Sequence, residues 1–150
     1  MRILIQRVSR AKVTVSGETT GEIGAGLLVF LGIGNGDDEM TCRLMAEKLL
    51  KLRIFDKEAG KMDRDVTLAS GSVLVVSQFT LYADTRKGNR PSFTDAAGGE
   101  EAKRLYDYLV AYLRSLIGTD KVAEGRFGAM MEVEICNDGP VTIWLDSELK

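Results

Sequence analysis

A continuous apolar run from Leu27 to Ile33 is bracketed by Gly24 and Gly26 before it and by Gly34 and Gly36 after it. A run of that length with glycine punctuation at both ends reads as a strand rather than a helix. Other segments follow the same logic. Ile3–Val8 and Lys12–Val15 are rich in Val and Ile and partly alternate, so both read as strands, with Ser16-Gly17-Glu18 as the turn of a hairpin. Ser72–Val76 reads as a buried strand, and Met131–Cys136 and Val141–Asp146 as strands joined by a tight turn at Asn137-Asp138-Gly139-Pro140. After the glycine-rich stretch, Asp37 or Asp38 offers an N-cap, and Leu44, Met45, Leu49, Leu50 and Leu52 at helical spacing predict a helix over 38–53. A turn is expected at Glu58-Ala59-Gly60-Lys61. A second helix is expected over Glu100–Ile117, with Leu105, Leu109, Tyr112, Leu113 and Leu116 on one stripe and Gly118 as its stop. The polar, glycine-rich stretch 82–99 is the longest loop, and loops of that length in compact domains are usually functional or mobile. The expectation is a single α+β domain over 1–150, with a mostly antiparallel, barrel-like sheet and two main helices.

Composition limits the chemistry. Hydrophobic residues make up 45% and charged residues 28%, as in ordinary soluble domains. No apolar run approaches the roughly 20 residues of a membrane span, and charge interrupts the first residues too early for a secretory signal. Cys42 and Cys136 provide neither a disulfide framework nor a metal spacing, so a cytoplasmic protein without metal or cofactor is expected. There is no histidine. That removes Ser-His-Asp and Cys-His catalysis and the commonest transition-metal ligand. Any hydrolysis must use a hydroxyl, a carboxylate, a lysine, backbone amides or the substrate's own groups. A net charge of −2 argues against general attraction to polyanions, so contact with RNA must come from a local patch. Arg86-Lys87-Gly88-Asn89-Arg90 is such a patch, although a solvated loop would look the same.

Three segments invite a functional reading. Gly32-Ile33-Gly34-Asn35-Gly36 lies between a strand and a helix, but its spacing fits neither the dinucleotide nor the P-loop pattern. Asp37, Asp38 and Glu39 would also repel a phosphate at the helix start, so it reads as a glycine-rich turn. Asn137-Asp138-Gly139-Pro140 suits a turn by composition. Pro140 lacks an amide and so leaves a ladder position open at the head of a strand. Ser77-Gln78-Phe79-Thr80 places two hydroxyls and an amide where a buried strand emerges, yet Thr80 lacks the usual activating base.

Taken together these segments resemble the D-aminoacyl-tRNA deacylase family, whose D-tyrosyl-tRNA(Tyr) deacylases give it its other name. The likeness runs the whole length. Ile5–Val13 is similar to the family's start, Ser77-Gln78-Phe79-Thr80-Leu81 to its first signature, Lys87–Phe93 to its mid-chain loop and Asn137-Asp138-Gly139-Pro140-Val141-Thr142 to its second signature. The resemblance implies a homodimer with the active site at the subunit interface. It implies a cis Gly139–Pro140 bond whose carbonyl oxygens point at the substrate α-amino group in the partner's pocket, with Asn137 beside it and Arg7 holding the motif. It assigns the chemistry to Ser77, Gln78, Phe79 and Thr80, through backbone amides that stabilise an oxyanion, with Thr80 as nucleophile or as a positioning group for water assisted by the ribose 2′-hydroxyl. The substrate would be D-aminoacyl-tRNA and, by extension, glycyl-tRNA mischarged on tRNA(Ala), contacted by Arg86, Lys87 and Arg90. No membrane or DNA partner is implied. A non-catalytic RNA-binding module, or an amidohydrolase acting on D-amino acid amides, are the alternatives.

Overall fold

The computed structural model describes residues 1–58 and 60–149. Among these the chain forms strands β1 (Arg2–Val15), β2 (Glu18–Ile23) and β3 (Gly26–Gly32), helix α1 (Glu39–Leu50), a short β4–β5 hairpin (Phe55–Glu58, Lys61–Arg64), and β6 (Ser72–Ser77). Helix α2 (Gly99–Ile117), β7 (Val122–Glu124) and β8 (Glu132–Asp146) complete the fold. The main sheet runs β2-β1-β3-β6-β7, with β8 on the other flank of β1. Strand β1 pairs antiparallel with β2, β3 and β8, whereas β3–β6 and β6–β7 are parallel. The α+β class, the barrel-like closure and the two main helices agree with expectation. Three of the five pairings in the main sheet are antiparallel, as expected of a mostly antiparallel sheet, and the two parallel pairs each span a helical crossover, which parallel strands require. Strand β2 approaches β7 closely enough that a Cβ on Gly21 would collide with the Glu124 carbonyl, so the sheet curls nearly shut across a glycine.

The two continuous apolar runs have a structural cause. On β3, Leu27, Val29 and Leu31 face the helices, while Leu28 faces the barrel interior. On β6, Val73 and Val75 point to the helices and Leu74 and Val76 to the interior. A strand covered on both faces has no solvent side, and its sequence loses alternation. The helical layer comes from α1, which buries Cys42, Met45, Ala46, Leu49 and Leu50, and α2, which buries Leu105, Tyr106, Leu109, Val110 and Leu113. Both stripes follow the three-and-four spacing of a one-sided helix. Leu44 and Leu116, expected on those stripes, are 62% and 45% exposed, one position round from the buried rows. The Asp38 carboxylate caps α1 by accepting from the Thr41 amide at 2.8 Å, and Gly118, at φ 98°, ends α2. The turn expected at 58–61 is the tip of the β4–β5 hairpin, though Ala59 lies outside the described residues. No helix among the described residues is long and apolar enough to cross a membrane.

The largest departure concerns Asn137–Pro140, which is not a hairpin turn. The segments before and after it do not pair with each other; both pair with β1, as one long β8. Gln6 faces Thr142 and Val8 faces Asn137, so Asp138 to Val141 stand opposite Arg7 alone. The signature is therefore a large bulge that leaves the ladder and rejoins it. Turn-forming residues serve a bulge equally well, and only the distant partner strand distinguishes the two.

Candidate active site

The bulge is built on a buried cation. Arg7 is 7% exposed, the one buried charged side chain of the core among the described residues. Its Nη1 donates to the Ile54 carbonyl at 2.6 Å and its Nε to the Asp138 carbonyl at 3.1 Å. The Asp56 and Asp138 carboxylates lie 3.6 and 3.4 Å from the guanidinium. A planar fork of donors meets several acceptors at once, which a lysine cannot do. On the other side of the bulge, the Thr142 hydroxyl donates to the Gln6 amide oxygen at 2.5 Å. Between these fastenings Asn137, Asp138, Gly139 and Pro140 are exposed. The Gly139–Pro140 peptide is cis, and Gly139 has φ 125°. A Cβ at Gly139 would meet Val141 Cγ2 at 2.9 Å and Arg7 Nη2 at 3.1 Å, so both backbone angle and space call for glycine.

The first signature sits at the end of β6. Ser77 is the last residue of the strand, opposite Leu31 of β3, and the Gln78 amide donates to the Leu31 carbonyl at 2.8 Å. Gln78 N–H is thus committed to the sheet and is not a donor for an oxyanion. Phe79–Tyr82 then form one 3₁₀ turn, closed by the Leu81 amide on the Gln78 carbonyl and the Ala83 amide on the Thr80 carbonyl. Phe79 and Thr80 precede the first amide that the turn satisfies. Their N–H groups meet no acceptor among the described residues and so can stabilise a developing negative charge, as first-turn amides generally can. Gln78 Nε2 donates to Thr80 Oγ1. If the amide is read with oxygen and nitrogen exchanged, Thr80 donates to a neutral carbonyl oxygen instead. Neither arrangement gives the hydroxyl a base. The buried thiol does not replace it: burial pushes Cys42 up to about 12, and its sulfur points at the Leu105 carbonyl.

The mid-chain loop is tied to this turn. Phe79 is 58% exposed, and its ring meets that of Phe93 edge-on, with centroids 5.0 Å apart. Paired backbone bonds between Asp84 and Ser92 close the loop at its neck. Arg86, Lys87 and Arg90 are all exposed on it, but Arg86 folds back. Its Nε and Nη2 donate to the Asp84 carboxylate at 2.9 and 2.7 Å. Those bonds hold Asp84 down to about 2, from 3.8. Because the folded value lies below the ordinary one, the pair is complete above about pH 4 and is lost as pH falls toward 2, so near neutrality Arg86 stays engaged. Lys87 and Arg90 form no ion pair among the described residues.

The structure thus gathers the proposed residues into two groups. Arg7, Asn137, Gly139 and Pro140 form one; Ser77, Gln78, Phe79 and Thr80, with the loop of Arg86, Lys87 and Arg90, form the other. No hydrogen bond joins the groups among the described residues. Along β1 the turn is reached from Arg2 and the bulge from Arg7, about 17 Å apart at some 3.4 Å per residue. Sequence reading missed Ile54, Asp56 and Asp84 as partners, since only the i,i+2 spacing of Asp84 and Arg86 is a local signal. Among the described residues no group of three His, Cys, Asp or Glu side chains is placed to hold a metal.

Residues 4–146 match the family model described as D-Tyr-tRNA(Tyr) deacylase. A D-aminoacyl-tRNA deacylase of Roseiflexus sp. (strain RS-1) is 57% identical over 149 residues, covering 99% of this chain and 95% of that one. Another, from Deinococcus radiodurans, is 56% identical over 146 residues, covering 97% and 99%. Among solved structures, a c-Myc DNA Unwinding Element Binding Protein superposes with TM-score 0.92 at 42% identity, covering 97% of this chain and 98% of that one. A probable eukaryotic D-amino acid tRNA deacylase shares the fold alone, with TM-score 0.83 at 17% identity over 96% and 97% of the two chains. On the match across nearly its whole length, the chain belongs to the D-Tyr-tRNA(Tyr) deacylase family.

Proposed function

We propose that this chain is an ester hydrolase that releases free D-amino acid and tRNA from D-aminoacyl-tRNA, and that main-chain atoms of Gly139–Pro140 carry out the stereochemical selection. One observation supports this above the others. The bulge lifts Gly139 and Pro140 out of the ladder into solvent, over a buried Arg7 that fixes the chain at Asp138. An exposed backbone segment fixed from beneath is suited to presenting carbonyl oxygens to an ammonium group. With the α-amino group fixed, an L side chain would run into rigid backbone while a D side chain would point away, so a clash supplies the specificity. Glycine has no side chain to exclude, and glycyl-tRNA mischarged on tRNA(Ala) is a substrate on the same reasoning.

The bulge and the first signature are separated within one chain, so the reading requires a homodimer in which each Gly139–Pro140 enters the partner's pocket. The exposed apolar residues Ile135 and Trp144 flank the bulge on β8, each 43% exposed, and would be covered in that assembly. The amides of Phe79 and Thr80 receive the oxyanion, and one well-aimed donor lowers the barrier by about 3–4 kcal/mol. An ester needs less acid–base help than an amide, which ranks D-amino acid amides below D-aminoacyl esters as substrates. With no base on Thr80, water assisted by the ribose 2′-hydroxyl attacks, and Thr80 positions. Thr80→Ala is accordingly expected to keep kcat within about 10-fold of wild type, since one neutral hydrogen bond contributes about 1 kcal/mol. Loss of several thousand-fold in a folded variant would make Thr80 the nucleophile.

Lys87 and Arg90, which form no ion pair among the described residues, contact phosphates near the acceptor end, and Arg86 orders the loop through Asp84. Each phosphate contact contributes about 0.7 to the slope of log K against log salt for a single strand. Lys87→Ala with Arg90→Ala is expected to flatten that slope by about 1.4 in a tRNA-binding titration, and an unchanged slope would remove the assignment. The basic loop, and the name of the DNA-unwinding-element neighbour, favour a second reading as a nucleic-acid-binding module without hydrolysis. Incubation of purified protein with D-tyrosyl-tRNA separates the two: the proposal expects release of D-tyrosine, and no release at micromolar protein would leave the binding module.

A further inference from the structure

We propose that Arg2 is a positioning residue for the reaction, acting by clamping the Phe79–Tyr82 turn. The inference rests on the reading above, in which the Phe79 and Thr80 amides receive the oxyanion. Arg2 opens β1 at the end of the barrel where the turn sits. Its Nε donates to Asp146 Oδ2 at 3.1 Å, and its Nη1 donates to the Leu81 carbonyl at 3.1 Å. The guanidinium carbon lies 4.4 Å from the centroid of the Tyr82 ring. One side chain therefore holds the turn at two consecutive residues and ties both to the last strand.

The turn also packs over glycines of β3 and the segment after it, Gly32 being the cross-strand partner of Arg2. A Cβ on Gly32 would meet the Gln78 carbonyl oxygen and Leu81 Cβ at 3.1 Å and Tyr82 Cδ2 at 3.3 Å, and one on Gly34 would collide with the Tyr82 ring. The Gly32-Ile33-Gly34 segment thus acts as a floor for the turn rather than a ligand loop. With Tyr82 buried against that floor and the Arg2 guanidinium over its ring, the turn is held at the Leu81 carbonyl and at the Tyr82 ring. Such precision matters because a misplacement of about 1 Å in a catalytic donor costs about 100-fold in rate. Arg2 acts through the turn, and the fork geometry that lets it meet a carboxylate, a carbonyl and a ring together is not available to lysine.

Hydrogen exchange and steady-state kinetics on the full chain test this with Arg2→Met and Arg2→Lys. The Leu81 and Ala83 amides, which close the turn, are expected to exchange at least about 10-fold faster in Arg2→Met, with β3 and β6 unchanged. With D-tyrosyl-tRNA, kcat is expected to fall at least about 10-fold while KM stays within about 3-fold, the signature of an effect confined to the transition state. Arg2→Lys should fall between. Unchanged exchange at the turn would overturn the proposal, as would faster exchange with an unchanged kcat. If Arg2→Met does not fold, Asp146→Asn is held to the same criteria at about 3-fold. Should wild type release no D-tyrosine, the functional reading fails, and exchange alone still decides whether Arg2 holds the turn.

Discussion

Gly139→Ala is expected to lower kcat/KM for D-aminoacyl-tRNA by at least about 100-fold, equivalent to about 2.7 kcal/mol of lost transition-state stabilisation. Two independent features of the position set that size. The residue sits at φ 125°, where an L side chain is strained, and such strain costs about 1–3 kcal/mol. The new methyl group would also press on Val141 Cγ2 and Arg7 Nη2, at 2.9 and 3.1 Å. Neither neighbour yields easily: Arg7 is fixed by the Ile54 and Asp138 carbonyls, and Val141 is buried. The strain is therefore relieved by moving the exposed part of the bulge, the part that would meet substrate. Stability should suffer less than activity, because the bulge lies outside the ladder. At about 2–4 °C per kcal/mol for a chain of this size, 1–3 kcal/mol of strain lowers Tm by roughly 2–12 °C. Kinetics at a temperature where the variant is folded, together with a melting curve, check the expectation. A variant that melts early but turns over normally would show that the bulge serves only the fold.

Much of this architecture was legible in the sequence because it is locally encoded. Asp38 at the start of α1, Gly118 at the end of α2, and the glycine-bracketed Leu27–Ile33 run all mark themselves within a few residues. What stayed hidden depends on partners far along the chain. The residues of Asn137–Pro140 specify a reversal or a bulge equally well, and β1 decides which. Strand β7, Val122–Glu124, is too short to carry a period. The parallel β3–β6 pairing joins segments more than forty positions apart, and their continuous apolar runs mark burial on two faces but not the direction of the pairing. At the site, the two signature segments stood out by composition and place, but their roles and Arg7 entered through resemblance to a family, since Arg7 looks like any strand charge until Ile54 and Asp138 are brought beneath it. Arg2 and Tyr82 gave no signal, because their contact crosses eighty positions. The pairing of Arg86 with Asp84 has a local signal in their spacing that the sequence reading passed over, and it leaves Lys87 and Arg90 as the loop cations with no ion pair among the described residues.

The second large effect concerns handedness. If selection is by clash with rigid backbone, the penalty falls on one enantiomer only. Discrimination then does not depend on recognising the side chain, and D-tyrosine and D-alanine esters should behave alike. A clash that cannot relax adds at least about 4 kcal/mol to the barrier, or about 1,000-fold in rate. Acid–base groups aimed at the ester carbonyl do not by themselves supply this discrimination, because both enantiomers present the same carbonyl. The measurement that decides the matter is kcat/KM for D-tyrosyl-tRNA and L-tyrosyl-tRNA, charged on the same tRNA and assayed with the same enzyme preparation. The account predicts rapid release of D-tyrosine and release of L-tyrosine at least about 1,000-fold slower; similar rates for the two would contradict it.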